Sequence, residues 1–132
     1  MHASIRQLHR GFTLVEMMIV VAIIAMLSAI ATSNIIRARK RAQAVKVLDD
    51  LRTLDGALDT YALEYNKSGG DDAVFSDLQP YLKQLNKLAL TGYDVFGQAY
   101  GPFTVDIPPK VSDFTFNSLS DVAPAAFWSP YK

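Results

Sequence analysis

Two histidines, thirteen acidic and thirteen basic side chains, and no cysteine make up the reactive inventory of this chain. The missing cysteines exclude thiol nucleophiles, disulfides and zinc thiolates together. Both histidines, His2 and His9, fall in the first eleven residues, so no histidine base or metal cluster survives if that segment is removed. There is no glycine-rich phosphate loop and no nucleophile elbow. The stretch NKSGGDD, Asn66 to Asp72, gathers acids and glycines but lacks the later glutamate of a helix–loop–helix calcium loop. It reads as a solvated loop, and its Asn66-Lys67-Ser68 triplet matches the glycosylation pattern only as short matches commonly do. The aromatic residues Phe96, Tyr100, Phe103, Phe114, Phe116, Phe127 and Trp128 are expected in a core, not as a stacking platform for bases. No enzyme is expected.

One carboxylate stands apart. In RGFTLVE, Arg10 to Glu16, a glutamate guards the mouth of MMIVVAIIAMLSAIATSNII, Met17 to Ile36, which carries no charge until Arg37. An ionisable group beside a segment of that kind is costly unless neutralised, and so is a functional candidate by default. As a helix the segment spans about 30 Å, enough for the hydrocarbon core of a bilayer. It shows no polar stripe of the sort a helix on a soluble domain carries. Ahead of it, MHASIRQLHRG holds Arg6 and Arg10 and no acid, the general form of an export or membrane-targeting start.

The element that positions Glu16 is long. Neither proline nor glycine occurs from Phe12 to Asp55. Beyond the basic cluster Arg37, Arg39, Lys40 and Arg41, apolar residues recur at Ala44, Val47, Leu48, Leu51, Leu54, Leu58, Tyr61 and Tyr65 at helical spacing. The opposite face holds Lys46, Asp49, Asp50, Arg52, Asp55, Asp59 and Glu64. Lys46–Asp50 and Asp49–Arg52 are spaced to meet on a helix. Gly56 costs such a helix roughly 1 kcal/mol relative to alanine. One continuous helix is therefore expected from about Phe12 to Tyr65, on the order of 80 Å long. Its residues 12–36 call for lipid or other helices, and its amphipathic continuation, 37–65, for a domain to lie on.

A head, residues 66–132, follows. A short helix is expected over SDLQPYLKQLNKL, starting at Ser76 with Asp77 in its first turn and Leu78, Leu82 and Leu85 on one face. Pro80 is tolerable near its start. Two half-buried strands are expected where Phe103, Val105 and Ile107 alternate with polar residues and where Phe114 and Phe116 flank Thr115. Pro108 and Pro109 suit a turn between them. The aromatic tail AAFWSPYK closes the core. The fold class is α+β: a long N-terminal helix, its apolar half exposed and its amphipathic half packed on a small antiparallel sheet.

The residues at the mouth of the helix carry a resemblance. A short basic leader ending in Gly11, then Phe12, then Glu16 and a long apolar helix is similar to the processing site of the type IV prepilin family, which includes pilins and type II secretion pseudopilins. The likeness covers roughly the first third of the chain. It implies a leader, 1–11, cut between Gly11 and Phe12 by a membrane prepilin peptidase, and methylation of the new Phe12 amine. It also implies a structural subunit of a pilus-like or pseudopilus filament. Such a subunit starts as a single-pass inner-membrane precursor with its head outside the cytoplasm. An assembly platform then brings it together with identical or homologous subunits as a periplasmic or extracellular filament. DVFGQAYG, Asp94 to Gly101, resembles the Asp-x-x-Gly-x-x-Tyr stretch of major pseudopilins, some of which hold calcium in a nearby loop; no other cofactor is expected.

The physics of Glu16 fits that resemblance. After cleavage the Phe12 ammonium lies four residues, one helical turn, from the carboxylate. Glu16 can then pair with its own amine or, among staggered helices, with a neighbour's. Such a pair adds little net stability but penalises misregister, because an unpaired buried charge costs several kcal/mol. The chain departs from the family in lacking a proline within the apolar helix, where Thr32-Ser33-Asn34 is the weakest helix-forming stretch. Basic residues flank both ends of that helix, so charge alone does not orient it, and Arg37, Arg39, Lys40 and Arg41 read as a juxtamembrane anchor. From Phe12 on there are 11 basic and 13 acidic residues, since Arg6 and Arg10 precede it, which makes no case for nucleic acid. The competing expectation is an ordinary signal cut after Ala31 of Ala29-Ile30-Ala31, releasing a secreted soluble binding module. Glu16 argues against it, for it puts a charge where such a signal should be rising in hydrophobicity.

Overall fold

The computed structural model describes residues 11–132; the expected leader, with His2, Arg6, His9 and Arg10, lies outside them but for Gly11. Helix α1 runs unbroken over Leu14–Glu64. At the weak stretch the Thr32 hydroxyl donates to the Ser28 carbonyl at 2.9 Å and the Ser33 hydroxyl to that of Ile30 at 3.2 Å. Hydroxyls turned back onto the helix in this way satisfy themselves without opening it, so no break appears where the proline is missing.

The chain divides after Ile36 into two units. In the first, every described residue is exposed, Phe12 and Leu14 among the most so. The most apolar window of α1 has a mean hydropathy of 2.6 and none of it is buried.

In the second unit α1 supplies the spine of the core. Ala44, Val47, Leu48, Leu51, Leu54, Leu58 and Tyr61 are buried as the spacing predicts, with Ala57 beside them. Tyr65 is not; it stays exposed with its ring 5.0 Å from that of Tyr61. Strand β1, Asp72–Ala73, pairs antiparallel with β2, Phe103–Thr104, with Asp72 opposite Thr104 and Ala73 opposite Phe103. Between the strands come α2, Phe75–Leu78, a 3-10 turn, Gln79–Tyr81, and α3, Lys87–Thr91. After β2 come α4, Asp113–Leu119, and a second 3-10 turn, Ala125–Trp128. Leu78, Leu88, Leu119 and Trp128 fill the space against α1 in one cluster. The Trp128 indole N–H donates to the Ala123 carbonyl at 3.1 Å, and Tyr131 is buried, so the aromatic tail does close the core.

Three local expectations are corrected. The helix expected from Ser76 is two short helices and a 3-10 turn. Pro80 sits at the start of that turn, where it supplies no amide to extend α2, and Leu82 then turns extended. Leu82 is buried but Leu85 is almost wholly exposed. The strand at Phe103 ends after Thr104, because Asp106 takes a left-handed conformation, φ 67°, and the Ile107 amide folds back on the Thr104 carbonyl at 3.1 Å. Phe103 and Val105 are buried as expected; Ile107 is not.

The third correction is Phe114 to Phe116, which lies in α4 and not in a strand. Ser112 caps that helix, its hydroxyl accepting the Thr115 amide at 3.1 Å. The burial is accordingly inverted: Thr115 is fully buried and Phe114 exposed.

Candidate functional site

Phe12 is exposed at the mouth of α1, and among the described residues a Cβ on Gly11 would meet nothing within 4 Å. The first turn is closed by a reciprocal pair. The Glu16 carboxylate accepts the Thr13 amide at 2.8 Å and the Thr13 hydroxyl at 2.8 Å, while the Glu16 amide donates to the Thr13 hydroxyl oxygen at 3.2 Å. This is a capping box, in which two early amides that the helix cannot satisfy find side-chain acceptors. Thr13 is therefore a partner of Glu16 that the amine-pairing argument leaves out, although Thr-x-x-Glu before an apolar run is its legible signature. The carboxylate sits where the helix dipole favours negative charge. It can hold an ammonium there as well as a cap.

Of the basic cluster, Lys40 alone is engaged among the described residues: its ammonium reaches both Asp121 oxygens at 3.0 Å. That bond holds the Asp121 carboxyl below the usual carboxylate range. Arg37, Arg39 and Arg41 are exposed and form no salt bridge among the described residues. Lys46 meets Asp50 at 2.5 Å as the spacing predicts, whereas Asp49 and Arg52 form no such bridge.

The burial of two carboxylates, Asp50 and Asp94, was not foreseen from the sequence. Asp50, placed there on the polar face, is buried, accepting from Lys46 and, at 3.4 Å, from the Tyr100 hydroxyl. Asp94 is buried too. One of its oxygens accepts the Phe96 and Gln98 amides, each at 2.8 Å, and the other the Thr115 hydroxyl. The Ser112 hydroxyl donates in turn to Thr115 at 2.9 Å. Burial, then the charges of Asp50 and Asp94, push the Tyr100 phenol far up from its ordinary value. The Asp94, Gly97 and Tyr100 of DVFGQAYG thus organise one loop. Asp94 ties its backbone, Gly97 supplies the left-handed turn at φ 78°, and Tyr100 fastens it to α1. These bonds tie the loop to α1 and to Thr115 of α4. Among the described residues no three carboxylate or imidazole side chains gather as a metal cage requires.

The chain carries a known family signature, the prokaryotic N-terminal methylation motif, at residues 6–32. It is 39% identical over 61 residues to the type II secretion system core protein G of Klebsiella pneumoniae, covering 46% of this chain and 44% of that protein. It is 37% identical over 54 residues to the core protein G of Vibrio cholerae, covering 41% and 37%. It is 36% identical over 69 residues to the type IV wide pilus major component PilA4 of Thermus thermophilus, covering 52% and 53%. The chain thus spans about half the length, or less, of the relatives it matches. No solved structure matches it.

Proposed function

We propose that this chain is a structural subunit of a pilus-like or secretion pseudopilus filament. Residues 1–11 are a leader, removed between Gly11 and Phe12 by a prepilin peptidase, and the freed Phe12 amine is methylated. Residues 12–36 span the inner membrane in the precursor and form the filament core once a platform in that membrane has extracted them. Residues 37–65 continue the helix into the head, 66–132. The head lies outside the cytoplasm, with the basic cluster at the membrane surface beside lipid.

The single observation that carries this reading is the apolar part of α1, residues 12–36, which matches the methylation motif, is exposed throughout and has Glu16 at its mouth. Isolated in water it would be unstable; in lipid, and then among its own kind, its surface is covered. Glu16 gives the assembly its register. On extraction its carboxylate exchanges part of its bonding to Thr13 for the ammonium of a neighbouring Phe12. Cleavage after Ala31 is disfavoured, since that peptide lies inside an uninterrupted helix.

The deciding experiment is the intact mass and N-terminal sequence of the protein from its native membranes. A chain beginning at methylated Phe12 is the expected result. A chain beginning at Thr32 would make this a secreted soluble protein and end the filament reading.

A further inference from the structure

The far end of α1 has a feature that the filament reading leaves unused. A recess of about 380 Å³ opens beside its last turn, lined by Tyr61, Glu64, Tyr65, Asp77 and Tyr81, with Ser76 on its wall. The Tyr81 hydroxyl donates to one Glu64 oxygen, and one Asp77 oxygen accepts the Val74 amide at 3.1 Å. The remaining oxygen of each carboxylate has no hydrogen-bond partner among the described residues, and no cation of the head forms a salt bridge with either. Two carboxylates without a salt-bridge partner, Glu64 exposed and Asp77 half-buried, stand beside three phenol rings, surroundings that suit a guanidinium. It binds carboxylates through a planar fork of donors and stacks on aromatic faces.

The same molecule carries the complement. Among the described residues Arg37, Arg39 and Arg41 are exposed and form no salt bridge, while the helix beyond them turns acidic at Asp49, Asp50, Asp55, Asp59 and Glu64. Arg39 and Glu64 stand on one helix, 25 residues apart. At 1.5 Å per residue that is about 37 Å, several times the reach of an arginine. The cluster cannot fill the recess of its own chain.

The geometry points to a second copy of this chain as the occupant: Arg39 and Arg41 of one subunit dock in the Tyr61–Glu64–Tyr81 recess of another. The two helices run parallel and are staggered by roughly 37 Å, the separation of the two surfaces along α1. The inference rests on the filament reading and adds to it a head-level contact, distinct from the Glu16 register. It also gives the basic cluster a second use: in the precursor it lies at lipid, and in the filament it binds protein.

The absence of native cysteine makes the test clean. Ala42→Cys, beside Arg41, and Ser76→Cys, on the recess wall, are introduced together into the full chain. Both leave every proposed contact group in place. Within one chain the two sites are separated by roughly 30 Å of helix, beyond a short bismaleimide, so any cross-link joins two subunits. Filaments sheared from cells and treated with the reagent are expected to give a ladder of covalent oligomers, with each single variant giving dimers at most. In parallel, Arg39→Glu with Arg41→Glu is expected to lower filament yield about tenfold, and Glu64→Arg in the same chain to restore most of it. Filaments without a ladder, together with normal yield from the charge-reversed chain, would overturn the contact and leave the filament reading standing. Failure of the unaltered chain to form filaments would remove both.

Discussion

Glu16 performs two tasks that a single deletion would confuse. Through Thr13 it caps its own helix, and by its charge it is proposed to choose a neighbour. Replacement by glutamine separates them, since an amide oxygen still accepts the Thr13 amide but carries no charge to meet an ammonium. Glu16→Gln is expected to insert and to be cleaved normally while losing filaments, and Glu16→Ala to lose the cap as well. Normal filament yield from either variant would refute the register argument. Thr115 offers the matching experiment in the head. Its hydroxyl donates to the buried Asp94 carboxylate, so Thr115→Val leaves that acceptor short of a partner, at a cost of about 1–3 kcal/mol. Denaturant unfolding of the detergent-solubilised chain, followed through the fluorescence of the single buried Trp128, measures it directly.

At the scale of elements, two glycines on the same scaffold are expected to respond with opposite signs. Gly56 is exposed within α1, and a Cβ there would meet nothing within 4 Å. Gly56→Ala is expected to stabilise the head by up to about 1 kcal/mol through helix propensity alone. Gly92 ends α3 at φ 66°, where its amide closes on the Leu88 carbonyl at 2.8 Å and an added Cβ would press the Phe75 ring at 3.1 Å. Gly92→Ala is expected to destabilise by more than about 1 kcal/mol, since the new side chain is both strained and crowded. The same unfolding midpoints test both. How far the sequence could be read follows the length of the pattern. The spacing from Ala44 to Tyr61 repeats over many turns, so α1 and its buried face were legible to within a few residues. Phe114 and Phe116 offered only two positions of alternation, and the Ser112 cap outweighed them. The burial of Asp50 and Asp94 escaped because a carboxylate reads as solvent-facing until its partners are known, and Tyr100 and Thr115 come from distant parts of the chain. The Thr13–Glu16 cap was missed although its signature is local and needs no distant partner.

Across the whole head, three of the six tyrosines act as ties between segments remote in sequence, and all three are held protonated. Tyr81 bonds Glu64 and is pushed up to about 12 by that bond, by burial and by the nearby negative charge. Tyr100 bonds Asp50, and burial raises it first. Tyr131 donates to Asp55 at 3.1 Å and is raised by burial and then by that bond, so the tail is fastened to α1 by a phenol. An unfolded tyrosine ionises near about 10. A folded value above that means the native head keeps a proton the unfolded chain gives up, so these ties contribute fully below about pH 10 and are lost as the pH climbs through the folded values. The head is therefore expected to unfold cooperatively in alkali. Ultraviolet titration of the native protein should show phenolate absorbance deficient at about pH 11, and the missing part should appear on adding denaturant. Tyr81→Phe should remove one phenolate from that late-appearing amplitude while leaving the tail closed over Trp128. If instead all six tyrosines of the native protein ionised in one wave near about pH 10, the ties would be too weak to hold their protons and alkali would not be what opens the head.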